Sequence, residues 1–210
     1  MFIQQALTDP FLYFSWVVFV MFSICCHEYA HAYIAARAGD ATAAQNGHLT
    51  LNPLIQMGLQ SLIMLALFGI AWGAVPVSLT KVRSAHKRAL IALAGPLMNL
   101  LLCLFFSLLT VIAQTAGAQS AASFLFIGGA VNGMLFVLNI LPVPVLDGFA
   151  VISAFHSGLE AFAQKHATAV FLIFILLLWN TSLGFFIFDA GYVVEGIFIS
   201  FWRGLAALIL

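Results

Sequence analysis

The feature that most constrains this chain is a series of apolar stretches, several of them close to the roughly 20 residues a helix needs to cross a bilayer. The first runs from Phe11 to Ala38 and is closed by Gly39, a residue placed as a helix C-cap. The second, Leu54 to Val75, is interrupted by Gly58, Gly69 and Gly73 and ends at Pro76. The third runs from Arg88 to about Ala116, the fourth from Ala121 to Leu141, the fifth from about Thr168 to Phe188, and the last from Ala190 to Leu210. The last carries Glu195 and Arg203, so it either spans or lies in the interface. Composition agrees: 64% of the 210 residues are hydrophobic and 7% are charged, against about 25% charged in a soluble domain. That excludes a disordered chain, a coiled coil and an ordinary soluble enzyme. With seven basic and seven acidic residues there is no field to recruit nucleic acid.

The expected fold is therefore an all-α polytopic membrane protein of five to six membrane segments, forming a single membrane-embedded domain over residues 1–210. The start, MFIQQALTDP, lacks the basic residues of a signal peptide, so the first stretch is expected to remain as a membrane helix. Cys25, Cys26 and Cys103 are too few and badly spaced for a disulfide framework and read as small buried hydrophobes. Asn46-Gly47 followed by alternating His48-Leu49-Thr50-Leu51 predicts a short β-hairpin after the first helix, and Val75–Thr80 predicts a short strand.

Lys and Arg favour the cytoplasmic side. With the N-terminus outside and Leu54–Val75 re-entrant, all seven basic residues share that side. If Leu54–Val75 were a full span, Lys81, Arg83, Lys87 and Arg88 would move outside. Re-entrant backbone is tolerated at membrane depth where protein or a wet cavity covers it.

Inside the first stretch stands His27-Glu28-Tyr29-Ala30-His31. Two histidines four apart lie about 40° apart on one helical face with about 6 Å of rise, a spacing that lets two imidazoles share one metal. Glu28 is turned about 100° away and reaches a water beside that metal without being a ligand. A carboxylate inside a span is costly without a partner, which weighs against a merely structural polar patch. Catalytic zinc takes three protein ligands. Of the other acids, Asp9, Asp40, Asp189, Glu160 and Glu195 lie at helix ends, in connections or in the last stretch. Asp147 stands apart: Pro142, Pro144 and Gly148 interrupt the helix around it and free the backbone to aim its carboxylate inward. In the topology above it shares a depth with His27 and His31.

His27–His31 together with Asn139-Ile140-Leu141-Pro142-Val143-Pro144-Val145-Leu146-Asp147-Gly148 resembles the site-2 protease family of intramembrane zinc metalloproteases. Ala94-Gly95-Pro96-Leu97-Met98-Asn99 matches that family's A-G-P-x-x-N segment, and Gly47–Pro53 resembles a stretch of its small prokaryotic-type members. The resemblance implies one Zn2+ per chain held by His27, His31 and Asp147, with Glu28 as catalytic acid/base. It implies that Asn139 helps to hold the substrate strand, and it draws Asn99 and Asn132 into the same substrate-binding role. It also implies a prokaryotic plasma membrane and a membrane-protein substrate. Two departures stand out. The second proline and second glycine of the family's P-P-L-D-G-G are Val145 and Phe149 here, and His48 stands where arginine is more usual. No insertion is large enough for a PDZ or CBS domain.

Other polar residues have plainer readings. His48 reads as a turn residue or cavity donor, and His86, His156 and His166 as interfacial. Asn99 and Asn132 also fit as helix–helix glue. Glu195 and Arg203 read as a wet face of the last helix. The expected function is an intramembrane zinc metalloendopeptidase with its active site toward the cytoplasmic side. The rival is a membrane transporter or metal carrier using the same His/Glu/Asp cluster. An inverted repeat would favour the rival, and none is visible.

Overall fold

A computed structural model of the chain describes residues 2–78 and 81–209. Among these residues there are ten α-helices and no strand. A short turn at Phe2–Gln4 and α1 (Gln5–Thr8) lead into α2 (Pro10–Ala38). Then come α3 (Thr42–Gln45), α4 (Pro53–Gln56), α5 (Gly58–Phe68), α6 (Ala85–Thr115) and α7 (Gln119–Ile140). The chain finishes with α8 (Asp147–Ser153), α9 (Ser157–Asn180) and α10 (Leu183–Ile209).

The helix ends follow local chemistry. Asp9 caps α2 by accepting from Leu12 N at 3.0 Å, Pro10 occupies the first turn, and Gly39 closes it at φ 112°. Among the described residues four helices, α2, α6, α7 and α10, are long and apolar enough to cross a membrane. In lipid the hydrophobic effect does not drive helices together, so small residues that permit close packing do much of that work. Gly128 of α7 accommodates the Phe19 ring of α2; a Cβ there would lie 2.5 Å from Phe19 Cε1. Gly191 of α10 meets α7 the same way, where a Cβ would lie 2.6 Å from Met134 N. Phe19 in turn packs edge to face on Phe106 of α6, with ring centroids 5.0 Å apart.

The second apolar stretch does not run straight through. At 1.5 Å per residue, the 11 residues of α5 are about 16 Å long, half a hydrocarbon core. The chain then doubles back: Trp72 exchanges hydrogen bonds with Ser61 Oγ (2.7 and 2.8 Å), and Ala74 N donates to Gln56 O (3.1 Å). It returns to the end of α2 from which it left, where Ser78 N donates to Asp40 (2.6 Å) and Lys87 Nζ donates to Ala38 O (3.3 Å).

Five expectations need correction. Gly47 does turn the chain, at φ 80°, but no hairpin forms. Residues 42–45 are helical, and the buried Gln56 amide takes the carbonyls of His48 (2.8 Å) and Thr50 (2.6 Å) that a partner strand would have used. Val75–Ser78 is irregular and pairs with no strand; Leu79 and Thr80 lie outside the described residues. The fifth and sixth stretches divide earlier than expected, because Thr181 Oγ1 accepts from Leu183 N (3.2 Å) and starts α10 there. Finally, Glu195 is not on a wet face but fully buried, its carboxylate against Gly129 of α7. Nor does Arg203 share an end with Lys81–Arg88: it donates to Gln114 (2.8 Å) at the far end of α6, because α10 runs the same way as α6.

Candidate metal centre

α2 brings His27, Glu28 and His31 into the interior, all three buried. Asp147 reaches them from a different element. The chain leaves α7 at Leu141 in extended conformation, passes Val145 at φ 96°, and restarts as α8 at Asp147. A positive φ at a β-branched residue is strained, and here the strain falls two residues from the carboxylate. Gly148 lets the restart lie against the end of α7, since a Cβ would meet the Leu141 carbonyl oxygen at 2.7 Å. At the other end of α8, Arg88 Nη2 donates to Ala154 O (2.7 Å) and fixes the helix to α6.

Asp147 Oδ2 lies 3.0 Å from His27 Nε2 and 3.3 Å from His31 Nε2, and the two Nε2 atoms are 3.0 Å apart. One ligand atom from each of the three residues falls within 4.8 Å of the others. His31 Nδ1 faces the Ile91 carbonyl at 2.7 Å. A carbonyl only accepts, so Nδ1 carries the proton and Nε2 of the neutral ring is a bare lone pair. A bare nitrogen facing a carboxylate oxygen at this distance needs a cation shared between them, a metal ion or a proton on Nε2. Two imidazole nitrogens and a carboxylate oxygen are the donor set of catalytic zinc, so the residues fit that ion.

The site opens on a cavity of about 530 Å³ between α2, the 70–77 segment, α8 and α9. Glu28 and Asn139 line it beside the three ligand candidates. Glu28 stands outside the ligand triplet, and Gly73 passes directly over it; a Cβ at Gly73 would lie 2.7 Å from Glu28 Cδ. Asn139, which lines the cavity, is held by donation from Nδ2 to Leu135 O (3.0 Å). Asn99 and Asn132 do not line the cavity: both are fully buried behind His27. His48 is held by Gln56 (3.2 Å).

The sequence reading missed Gly95, Gly73 and the Ile91 carbonyl. Gly95 of α6 faces both histidines; a Cβ there would lie 2.5 Å from His27 Cε1 and as close to both Nε2 atoms. Its traces in the sequence are the Gly-Pro pair inside an otherwise continuous apolar helix and the A-G-P-x-x-N match, which gave it no role toward the histidines.

Comparison with known proteins gives the same direction. The chain is 32% identical over 195 residues to "Putative zinc metalloprotease YwhC" of Bacillus subtilis, covering 85% of this chain and 89% of that protein. It is 35% identical over 188 residues to "Putative zinc metalloprotease Rip2" of Mycolicibacterium smegmatis, covering 82% and 69%. The chain belongs to the site-2 protease family of zinc metalloproteases. Rip2 of Mycobacterium tuberculosis strain H37Rv is similar at 33% over 176 residues, covering 79% of this family member and 64% of that protein. No family model and no solved structure matches it. As a protease of this family it acts on protein, and its apolar helices make it a membrane protein.

Proposed function

We propose that this protease is an intramembrane endopeptidase that cuts a transmembrane or membrane-associated segment of its protein substrate, with residues 1–210 acting as one peptidase domain. The observation that carries the reading is the cavity itself. Its ligand candidates sit among apolar walls from α2, α8 and α9, within a bundle whose long helices suit a bilayer. His27, His31 and Asp147 would hold the zinc, which when bound acidifies a water and polarises the scissile carbonyl. Glu28 takes the proton of the attacking water and delivers it to the leaving amine. Asn139, lining the cavity, would accept from a substrate N–H through its side-chain oxygen. The substrate must unwind to expose a peptide bond, and the irregular segment Val75–Val77, which lines the cavity, would give it backbone to lie along.

Arg37, Lys81, Arg83, Lys87 and Arg88 gather at the α2–α6 end of the bundle. This supports an N-terminus outside and an active site toward the cytoplasm. The test is a cleavage assay in detergent against single-span substrates. Glu28→Gln is expected to keep zinc and fold while losing proteolysis by about three orders of magnitude or more, because it removes a proton carrier and leaves the ligands. A wild type that moves metal across vesicles but cuts no peptide bond would reinstate the carrier reading.

A further inference from the structure

Behind His27 lies a file of buried amides that neither the metal ligands nor the substrate reading uses. His27 Nδ1 is 2.6 Å from Asn99 Oδ1, Asn99 Nδ2 is 3.1 Å from Asn132 Oδ1, and Asn132 Nδ2 is 2.8 Å from the Gly128 carbonyl. Both asparagines have no exposed surface. The polarity of this file is decided at its far end. The Gly128 carbonyl can only accept, so Asn132 must present its NH2 there and its Oδ1 to Asn99. An oxygen at that point can only accept, so Asn99 must present its NH2 to it and its own Oδ1 to His27. His27 Nδ1 is then obliged to carry the proton, and Nε2 keeps its lone pair.

We propose that Asn99 and Asn132 are positioning residues for the metal centre, two amides of fixed direction that hold His27 in the tautomer and ring orientation needed for ligation. They act through His27 and touch neither substrate nor metal. The opposite tautomer would place a proton on Nε2, pointed at the metal position, and would set the Nδ1 lone pair against the Asn99 oxygen. Three transmembrane helices share the file: α2 carries the ligand, α6 the first amide, and α7 the second amide with the carbonyl that orients it. The inference rests on the metalloprotease reading only in that the site must bind a metal.

The experiment uses the full chain in detergent and two probes, Zn2+ in competition with a chelator and the visible absorption of the Co2+-loaded protein. Loss of an outer hydrogen bond to a ligating histidine costs about 10–100-fold in metal affinity. Asn99→Ala is expected to show a loss of that size and a changed cobalt spectrum. Asn132→Ala should lose less, in the same direction, and the double variant should be no worse than Asn99→Ala alone, because both act along one file. Asn99→Asp keeps the acceptor facing His27, and its second oxygen, when protonated, donates to Asn132 Oδ1 as the amide did, with Asn132 still held by the Gly128 carbonyl. That variant is expected to restore most of the affinity and the wild-type spectrum. Unchanged zinc affinity in Asn99→Ala, full additivity of the two alanine variants, or an Asn99→Asp as weak as Asn99→Ala would each overturn the proposal. If Asn99→Ala does not fold, the Asn132→Ala and Asn99→Asp comparisons decide by the same criteria. A wild type that binds no zinc would instead defeat the metalloprotease reading itself.

Discussion

Gly95→Ala adds one methyl group at the point where His27 and His31 converge. A Cβ there would sit 2.5 Å from His27 Cε1, more than 1 Å inside the 3.5–4.0 Å at which carbon atoms attract. The rings cannot swing aside cheaply: His31 is tied to Ile91 O at 2.7 Å and His27 to Asn99 at 2.6 Å. Overpacking of this kind costs about 1–3 kcal/mol. If the ligand geometry absorbs it, zinc affinity falls by about 5- to 150-fold, since 1.4 kcal/mol is tenfold. Alanine in place of glycine favours the helix by about 1 kcal/mol, so the unfolding midpoint should move little while metal affinity drops. Three other glycines serve as comparisons. Gly73→Ala presses on Glu28 and should leave zinc bound while proteolysis falls at least tenfold. Gly128→Ala presses on Phe19 in the core and should cost stability without touching zinc. Gly158, with nothing within 4 Å, should tolerate alanine. Chelator competition, reporter cleavage and thermal unfolding on the four variants separate these effects. A Gly95→Ala protein that binds zinc as tightly as wild type would refute the close approach of α6 to the site.

Burial opposes the charge on Asp40, but hydrogen bonds from Thr42 and Ser78 and the charge of Lys81 hold its carboxyl below the usual carboxylate range. Its contribution is therefore present above the unfolded value of about 3.9 and is lost only as pH falls through the lower folded value. Asp40→Ala should lower the unfolding midpoint by about 1–3 kcal/mol equivalent at pH 7, with the difference from wild type unchanged down to about pH 5; a difference that fades between pH 7 and pH 5 would contradict this. Both Glu195 oxygens are buried without a hydrogen-bond partner, so Glu195→Met, which keeps the unbranched shape, should raise thermal stability, and a clear loss would mean that the carboxylate has a partner in the membrane. On a background lacking Cys25, Cys26 and Cys103, Ala41→Cys and Ser84→Cys should react with an impermeant thiol reagent from one side of intact cells and Ala118→Cys from the other. Labelling of residues 41 and 84 from opposite sides would make Leu54–Val75 a full span.

What was legible in the sequence is what local spacing determines. His27 and His31 share a face because four residues make about one helical turn, and the prolines before Asp147 mark a broken helix. Gly39 and Asp9 announce the ends of α2. What was not legible depends on contacts between distant segments. The predicted hairpin at Asn46-Gly47 is locally well formed, yet Gln56 claims its carbonyls from the next helix. The boundary between α9 and α10 hid inside an apolar run because Asn180-Thr181-Ser182 is only a short polar break, and Thr181 acts as a cap through its side chain. Glu195 read as solvent-facing because glutamate is seldom buried alone. Only the packing of α10 on Gly129 reveals otherwise.

α6 supplies no ligand, yet the site depends on it at three positions spaced by four. The Ile91 carbonyl fixes His31, the missing side chain of Gly95 makes room for both imidazoles, and the Asn99 amide fixes His27. Residues 91, 95 and 99 lie on one face of a helix, one above another. His27 and His31 have the same spacing on α2, which runs antiparallel beside it. Each histidine therefore meets one acceptor from α6, and the gap between the acceptors falls at the height of the metal position. The spacing in the A-G-P-x-x-N segment follows from this register. Asparagine must come one turn after the glycine to reach His27, and the carbonyl one turn before it reaches His31 without requiring any particular side chain. That explains why Ile91 carries no recognisable motif although its backbone is as close to the chemistry as Asn99. A one-residue shift of α6 against α2 would turn the face by about 100° and put Ala94 or Pro96 against the rings. The metal site and the α2–α6 packing are thus one constraint, and a substitution that slides this pair without touching a ligand should disable the protease as fully as removing His27.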